Sequence, residues 1–258
     1  MEALTALNSQ ALEGLRRLTA LDTVRARIAL AVDLRLLKPG ERLPPTAEVA
    51  RALDVGEITV RRALIALCEE GVLVRRRGRT GGTMVADAPT VGQVTEIEAY
   101  RAATAEVHRL IDHRLMLECG IAHLAATAVT AERLAELKTL VETMDQATSW
   151  ADFHANDERF HLALASSTGV DSAADHYAPV LHQLYRYYLP YPLDYLRESN
   201  REHAALVAAL ERQDPVEAVR IAHAHVDVLH RTMFVGLLPT SDGSGTSATG
   251  PGSTAGPS

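Results

Sequence analysis

Asp157 and His161 stand four residues apart, a spacing that puts two side chains one turn apart on one helix face. That is a sound geometry for two ligands of one metal ion. His203 and His225 lie about ten residues either side of Gln213-Asp214-Pro215, so two antiparallel helices joined there would bring them level. One carboxylate with three imidazoles suits zinc, nickel or another borderline divalent ion. The chain has 11 histidines, however, so chance pairs are expected and spacing alone leaves a surface or structural role open for each. His223 is the nearest rival to His225, but two residues away on a helix it points elsewhere. Catalytic zinc sites use the same residue types, which keeps a metallohydrolase as an alternative, although no general base stands at a fixed offset.

A second cluster is cationic. Between Thr59 and Arg79 there are six arginines against Glu69 and Glu70. Asp22 to Asp87 holds 12 basic and 9 acidic residues, residues 1–21 balance, and the net charge of −7 is therefore carried by the residues beyond Asp87. Every histidine lies beyond residue 107. A mildly basic half without histidine and an acidic half rich in it suggest two jobs in two domains.

The elements that must position these residues follow from punctuation and periodicity. A first helix is expected from Asp22 as N-cap to about Leu37, stopped by Pro39-Gly40. A second runs from Pro45 to about Leu53, with Glu48 placed to cap its first turn. After Asp54-Val55-Gly56 a third spans Glu57 to Glu70 on an apolar spine of Val60, Leu64 and Leu67, and Gly71 ends it. Leu73 to Arg76 and Thr83 to Val85 read as strands around a glycine-bearing turn. From about Val94 to Leu238 the pattern is helical, with one main interruption at Pro190 and Pro192. The fold class is mainly α: a winged helix-turn-helix of three helices and a β-hairpin, then an all-α antiparallel bundle. The domains expected are an extension over 1–21, a winged helix-turn-helix over 22–88, an all-helical domain over 89–239, and a tail over 240–258. That tail, built of Gly, Ser, Thr, Pro and Ala with a single Asp, is expected to be disordered.

Leu37-Lys-Pro-Gly-Glu-Arg-Leu-Pro44, Glu48, Val60-Arg-Arg-Ala-Leu64, Gly71-Val-Leu73 and the Gly/Arg wing resemble the GntR family of regulators. The later region resembles the FCD ligand-binding domain of the FadR-type members in three stretches. These are Arg114 to Ala126, Asp157-Glu-Arg-Phe-His161 with Ala165-Ser-Ser, and Glu202-His203 leading through Asp214 to His225. The resemblance implies a cytoplasmic, homodimeric transcription regulator, a repressor rather than an enzyme, with a double-stranded DNA operator as partner and no membrane. It puts Asp157, His161, His203 and His225 in register with the metal set of metal-binding FCD domains. It also implies a small carboxylate effector at the open coordination positions. A regulator answering to the metal alone, or a metal that only staples the bundle, are the other readings.

In the reading half, Glu57, Thr59, Arg61 and Arg62 sit where first-turn residues of a recognition helix reach base edges. Arg75, Arg77, Gly78 and Arg79 suit backbone or minor-groove contact. Ala47 and Glu57 stand where many relatives carry arginine, so the operator is expected to differ from the family's commonest sequence. In the sensing half, Arg114 either pairs with an acidic effector or bridges to Glu118 four residues on. Tyr185 and Arg186, in a tyrosine-rich segment before Pro192, either orient a polar ligand or pack beside a helix end. His154, like the remaining histidines, is expected to be structural or exposed. Cys68 and Cys119 are too separated in context to suggest a disulfide, and a reducing compartment fits. The first twenty residues lack a signal peptide's apolar stretch.

Overall fold

The computed structural model describes residues 18–78 and 81–237. Most of the expected N-terminal extension, Arg79 of the wing and the Gly/Ser-rich tail lie outside the described residues. Helix α1 spans Ala20–Asp33, and its cap is Thr19 rather than Asp22. The Thr19 hydroxyl accepts from the Asp22 N–H at 3.2 Å, while the Asp22 carboxylate accepts from the Thr19 N–H at 3.3 Å. This reciprocal capping box uses Asp22 as its third helical residue. The helix also ends earlier than Leu37, because Arg35 turns left-handed and the N–H groups of Leu36 and Leu37 both return to the Ala31 carbonyl.

Helix α2 (Thr46–Ala52) and helix α3 (Glu57–Glu69) complete the three-helix unit. Gly71 follows with a φ of 75°, the left-handed exit that glycine makes without strain. Strands β1 (Leu73–Arg76) and β2 (Gly82–Val85) pair antiparallel, with Leu73 opposite Val85 and Arg76 opposite Gly82. Glu41 to Leu43 add to the other edge of β2 through bonds to Val85 N–H and Thr83 C=O, both at 2.9 Å. The result is a winged helix. Glu48 does not cap α2: its carboxylate accepts from the Ser149 hydroxyl at 2.7 Å, across to the second half of the chain.

After a 3-10 turn at Val91–Gln93 and the short α4 (Ile97–Ala102), the bundle is built from six longer helices. These are α5 (Thr104–Ala128), α6 (Ala131–Asp145), α7 (Trp150–Ala165), α8 (Ala173–Tyr185), α9 (Leu193–Glu211) and α10 (Pro215–Asp227). Two single turns, α11 (Leu229–Thr232) and α12 (Phe234–Leu237), come last. The chain breaks helix more often than at the proline pair alone. Thr130 and Ser149 each accept from an N–H three residues on and begin new helices without proline or glycine.

Two apolar clusters hold the molecule. One lies within the bundle, around Ile121, Leu140, Phe160 and Leu210. The other runs from the winged helix (Val24, Leu30, Leu64) into Trp150, Tyr187 and Phe234. Helix α1 is therefore buried nearly all round, from Val24 through Val32 apart from Arg25. Cys68 and Cys119 are free thiols. Among the described residues no helix is long and apolar enough to cross a membrane.

Candidate metal centre and DNA-reading face

Helix α7 offers Asp157 and His161 from one face, α9 offers His203 and α10 offers His225. The turn at Arg212 to Asp214 brings the last two level, so that His203 Nε2 and His225 Nε2 lie 3.2 Å apart. The three histidines are buried, with ligand atoms within 4.8 Å of one another. An Asp157 oxygen lies 3.6 Å from His203 Nε2 and 3.8 Å from His161 Nε2. Ligands of one tetrahedral ion at about 2.0–2.1 Å would stand roughly 3.4 Å apart, so these donors have the right spacing.

The ring orientations fit a cation as well. His225 Nδ1 faces Glu202 at 2.8 Å and His203 Nδ1 faces Asn200 Oδ1 at 3.2 Å. Each acceptor favours the tautomer with the proton on Nδ1, which turns both Nε2 lone pairs toward each other. Two lone pairs facing at 3.2 Å repel unless a proton or a metal ion lies between them. Burial, then the neighbouring His225, holds His203 well below the usual imidazole range, which disfavours the proton. Burial would raise the Asp157 carboxyl, but His161, His203 and the Tyr185 hydroxyl at 2.5 Å bring it down to about 2. It is ionised, as a ligand must be.

A cavity opens beside this cluster, lined by Asp157, His161 and His225 on one side and by Arg114, His154 and Tyr188 among others. Arg114 makes the salt bridge to Glu118, Nε to Oε2 at 2.8 Å, and also reaches the cavity. It donates to the Tyr188 hydroxyl at 2.8 Å and from Nη2 to His161 Nε2 at 2.9 Å. Arg186 is not brought to the pocket. It is exposed, and only its backbone carbonyl is engaged, by the Tyr100 hydroxyl at 3.2 Å. Arg186 keeps helical φ and ψ and shares the exposed face of α8 with His182 and Gln183, four and three residues before it. Tyr185 acts on the site through Asp157, while Tyr188, Tyr191 and Tyr195 line the cavity itself.

His154 is half-buried rather than exposed: it stands in the cavity wall against the rings of Tyr185 and Tyr188. Desolvation, only partly offset by Asp157, holds it down to about 4. A histidine with a depressed folded value stabilises the fold above its unfolded value of 6.5 and loses that contribution as pH falls toward 4. In chelator, the His154→Phe variant is expected to remove about 3 kcal/mol of the acid loss over that window, measured by urea unfolding at a series of pH values. An unchanged acid slope would put the loss on the other histidines that burial holds low, His108, His161 and His203.

In the winged helix, Glu57, Arg61 and Arg62 are exposed on α3, and Thr59 is half-buried. Arg75, Arg77 and Gly78 are exposed on β1 and the turn after it. Arg61, Arg62, Arg75 and Arg77 form no ion pair among the described residues, whereas Arg76 lies 3.4 Å from Asp87. Sequence reasoning missed Ile58, which is 73 % exposed in the first turn of α3, where a side chain can meet a thymine methyl.

This architecture, a winged helix joined to a histidine-bearing helical bundle, is that of a DNA-binding regulator. The family model of bacterial regulatory proteins of the gntR family matches residues 15–85, and that of the FCD domain matches residues 109–228. The chain belongs to the GntR family of transcription regulators, in the branch that carries an FCD domain, and not to a family of enzymes. The HTH-type transcriptional regulator named RmpR from Mycobacterium gastri is 29 % identical over 227 residues, 86 % of this chain and 83 % of that protein. The Uxu operon transcriptional regulator of Escherichia coli is 33 % identical over 133 residues, about half of each chain. Among solved structures, a GntR protein of Streptococcus agalactiae is 27 % identical, with a TM-score of 0.42 over 83 % of this chain and all of the other.

Proposed function

We propose that this regulator is a repressor that works as a homodimer on a two-half-site operator and is released by a small carboxylate bound beside a divalent ion. Zinc and nickel suit the donor set of Asp157, His161, His203 and His225. The observation that carries this reading is the convergence of three buried imidazoles, two of which, His161 and His225, line a cavity that Arg114 also lines. A bound ion would supply an electrophilic position for a carboxylate or hydroxyl. It would also take the His161 lone pair that Arg114 Nη2 now occupies, leaving that N–H for the ligand. On the DNA side, Glu57, Thr59, Arg61 and Arg62 read bases, and Arg75, Arg77, Gly78 and Arg79 hold the backbone. The name of a relative 26 % identical over 218 residues, the transcriptional repressor NanR of Enterobacter, agrees with repression as the output.

The test is thermal unfolding of protein stripped by chelation, then with zinc, then with zinc and a panel of small carboxylates. A ligand at about a hundred times its dissociation constant adds about 2.7 kcal/mol, a rise of about 5–10 °C for a chain of this size. Zinc is expected to raise the melting temperature, His203→Ala to abolish that rise, and a carboxylate to add a second rise only with zinc present. A zinc response without any carboxylate response would make the ion itself the signal. No response to either would remove the site.

A further inference from the structure

Arg114 and the partly buried Arg25 are both answered by carboxylates. Arg114 has Glu118, and Arg25 has Asp22, Glu70 and Glu96. Arg27 is different. It is only 4 % exposed, yet it forms no ion pair among the described residues. Its Nε donates to the Tyr188 carbonyl at 2.7 Å and its Nη2 to the Tyr185 carbonyl at 3.2 Å. Those bonds satisfy dipoles and leave the positive charge uncompensated. Arginine cannot shed its proton, so an unpaired guanidinium in this position is costly unless an anion joins it.

The place where an anion can join it is the cavity beside the histidines, because Arg27 lines that cavity from the winged-helix side. Trp150, another cavity residue, buries an indole N–H that has no acceptor among the described residues. The wall therefore carries two arginines, of which Glu118 neutralises one, and Asp157 faces the histidines. The cavity is small, about 50 Å³, where one water needs about 10–15 Å³.

We infer that the pocket takes a small dicarboxylate, with one carboxylate at the histidine and Arg114 end and the second on Arg27. This rests on the carboxylate-sensing function proposed above and goes further in naming the ligand's second charge and its receptor. Arg27 belongs to α1, which packs on the DNA-reading helix α3, and it grips the carbonyls of the tyrosines that hold Asp157 and Arg114. A second carboxylate competing for that guanidinium changes the link between the reading half and the sensing half directly.

The experiment is calorimetric titration of the zinc-loaded full chain with succinate and malate, each against the analogue lacking one carboxylate, butyrate and 2-hydroxybutyrate. A buried charge-assisted contact makes the dicarboxylates about tenfold tighter or more in the wild type. Arg27→Gln, which retains an N–H donor for the carbonyls, is expected to erase that preference, bringing the ratio of dicarboxylate to monocarboxylate affinity to about one. Arg27→Lys, which keeps the charge, is expected to retain part of it. Equal affinity for both classes in the wild type overturns the inference even if the Gln variant fails to fold. So does a preference that survives Arg27→Gln. Binding of neither class overturns the underlying carboxylate reading instead.

Discussion

Glu118→Gln is expected to lower the melting temperature by on the order of 10 °C, corresponding to about 3–5 kcal/mol. Glu118 is fully buried and accepts from Arg114 Nε at 2.8 Å and from the Tyr177 hydroxyl at 2.5 Å, with His161 Nδ1 3.3 Å away. The amide keeps the shape and one acceptor but removes the one carboxylate that forms an ion pair with Arg114 among the described residues. Isolated burial of that guanidinium is the whole of the effect, so it should be relieved by removing the cation too. The double variant Arg114→Met with Glu118→Gln is expected to melt above Glu118→Gln alone, a coupling that independent sites would not show. The pH dependence gives a second check. Burial would raise the Glu118 carboxyl, but Arg114 and then His161 hold it well below its ordinary 4.5. A depressed carboxylate stabilises the fold above its unfolded value and loses that contribution as pH falls below it. Wild type should therefore lose stability below about pH 4.5 by a step that the Gln variant lacks. A Gln variant that melts with wild type at pH 7 would sink the argument.

The winged helix was legible because its boundaries are chemical punctuation. Pro39-Gly40, Gly56 and Gly71 end or begin elements wherever the hydrophobic period changes, and both strands fell within one residue of expectation. The error at Asp22 came from taking the acidic residue as the cap when Thr19 three residues before it completes a capping box. In the bundle, periodicity runs through junctions that have no proline or glycine. The breaks at Thr130 and Ser149 are signalled only by a capping hydroxyl, which also occurs on helix surfaces. The four expected ligands converge because their geometry is local: one turn for Asp157 and His161, one hairpin for His203 and His225. Arg27, Trp150 and Glu48 were beyond reach because their neighbours lie on the other side of the domain junction, and no local period encodes such a contact. Arg186 was grouped with its tyrosine-rich segment, whereas helical spacing sets it three and four residues after Gln183 and His182, on the exposed face of α8.

Arg61→Ala is expected to weaken binding to the operator by about 2–6 kcal/mol, roughly thirtyfold to twenty-thousandfold. One bidentate arginine–guanine contact discriminates by about 1–3 kcal/mol, and the symmetric dimer proposed above would lose it in both half-sites. Arg61 is exposed on α3, one turn beyond the first residue Glu57, and no carboxylate restrains it among the described residues. A charge lost from a phosphate contact behaves differently. Arg75, exposed on the wing strand, should weaken operator and scrambled duplex alike when changed to Ala, and should flatten the salt dependence by about one to two units for a dimer. Fluorescence anisotropy on both duplexes across a salt series separates the two cases. If Arg61→Ala lowered specific and non-specific binding equally, its guanidinium would belong on the backbone, and base reading by α3 would pass to Thr59, Arg62 and the exposed Ile58.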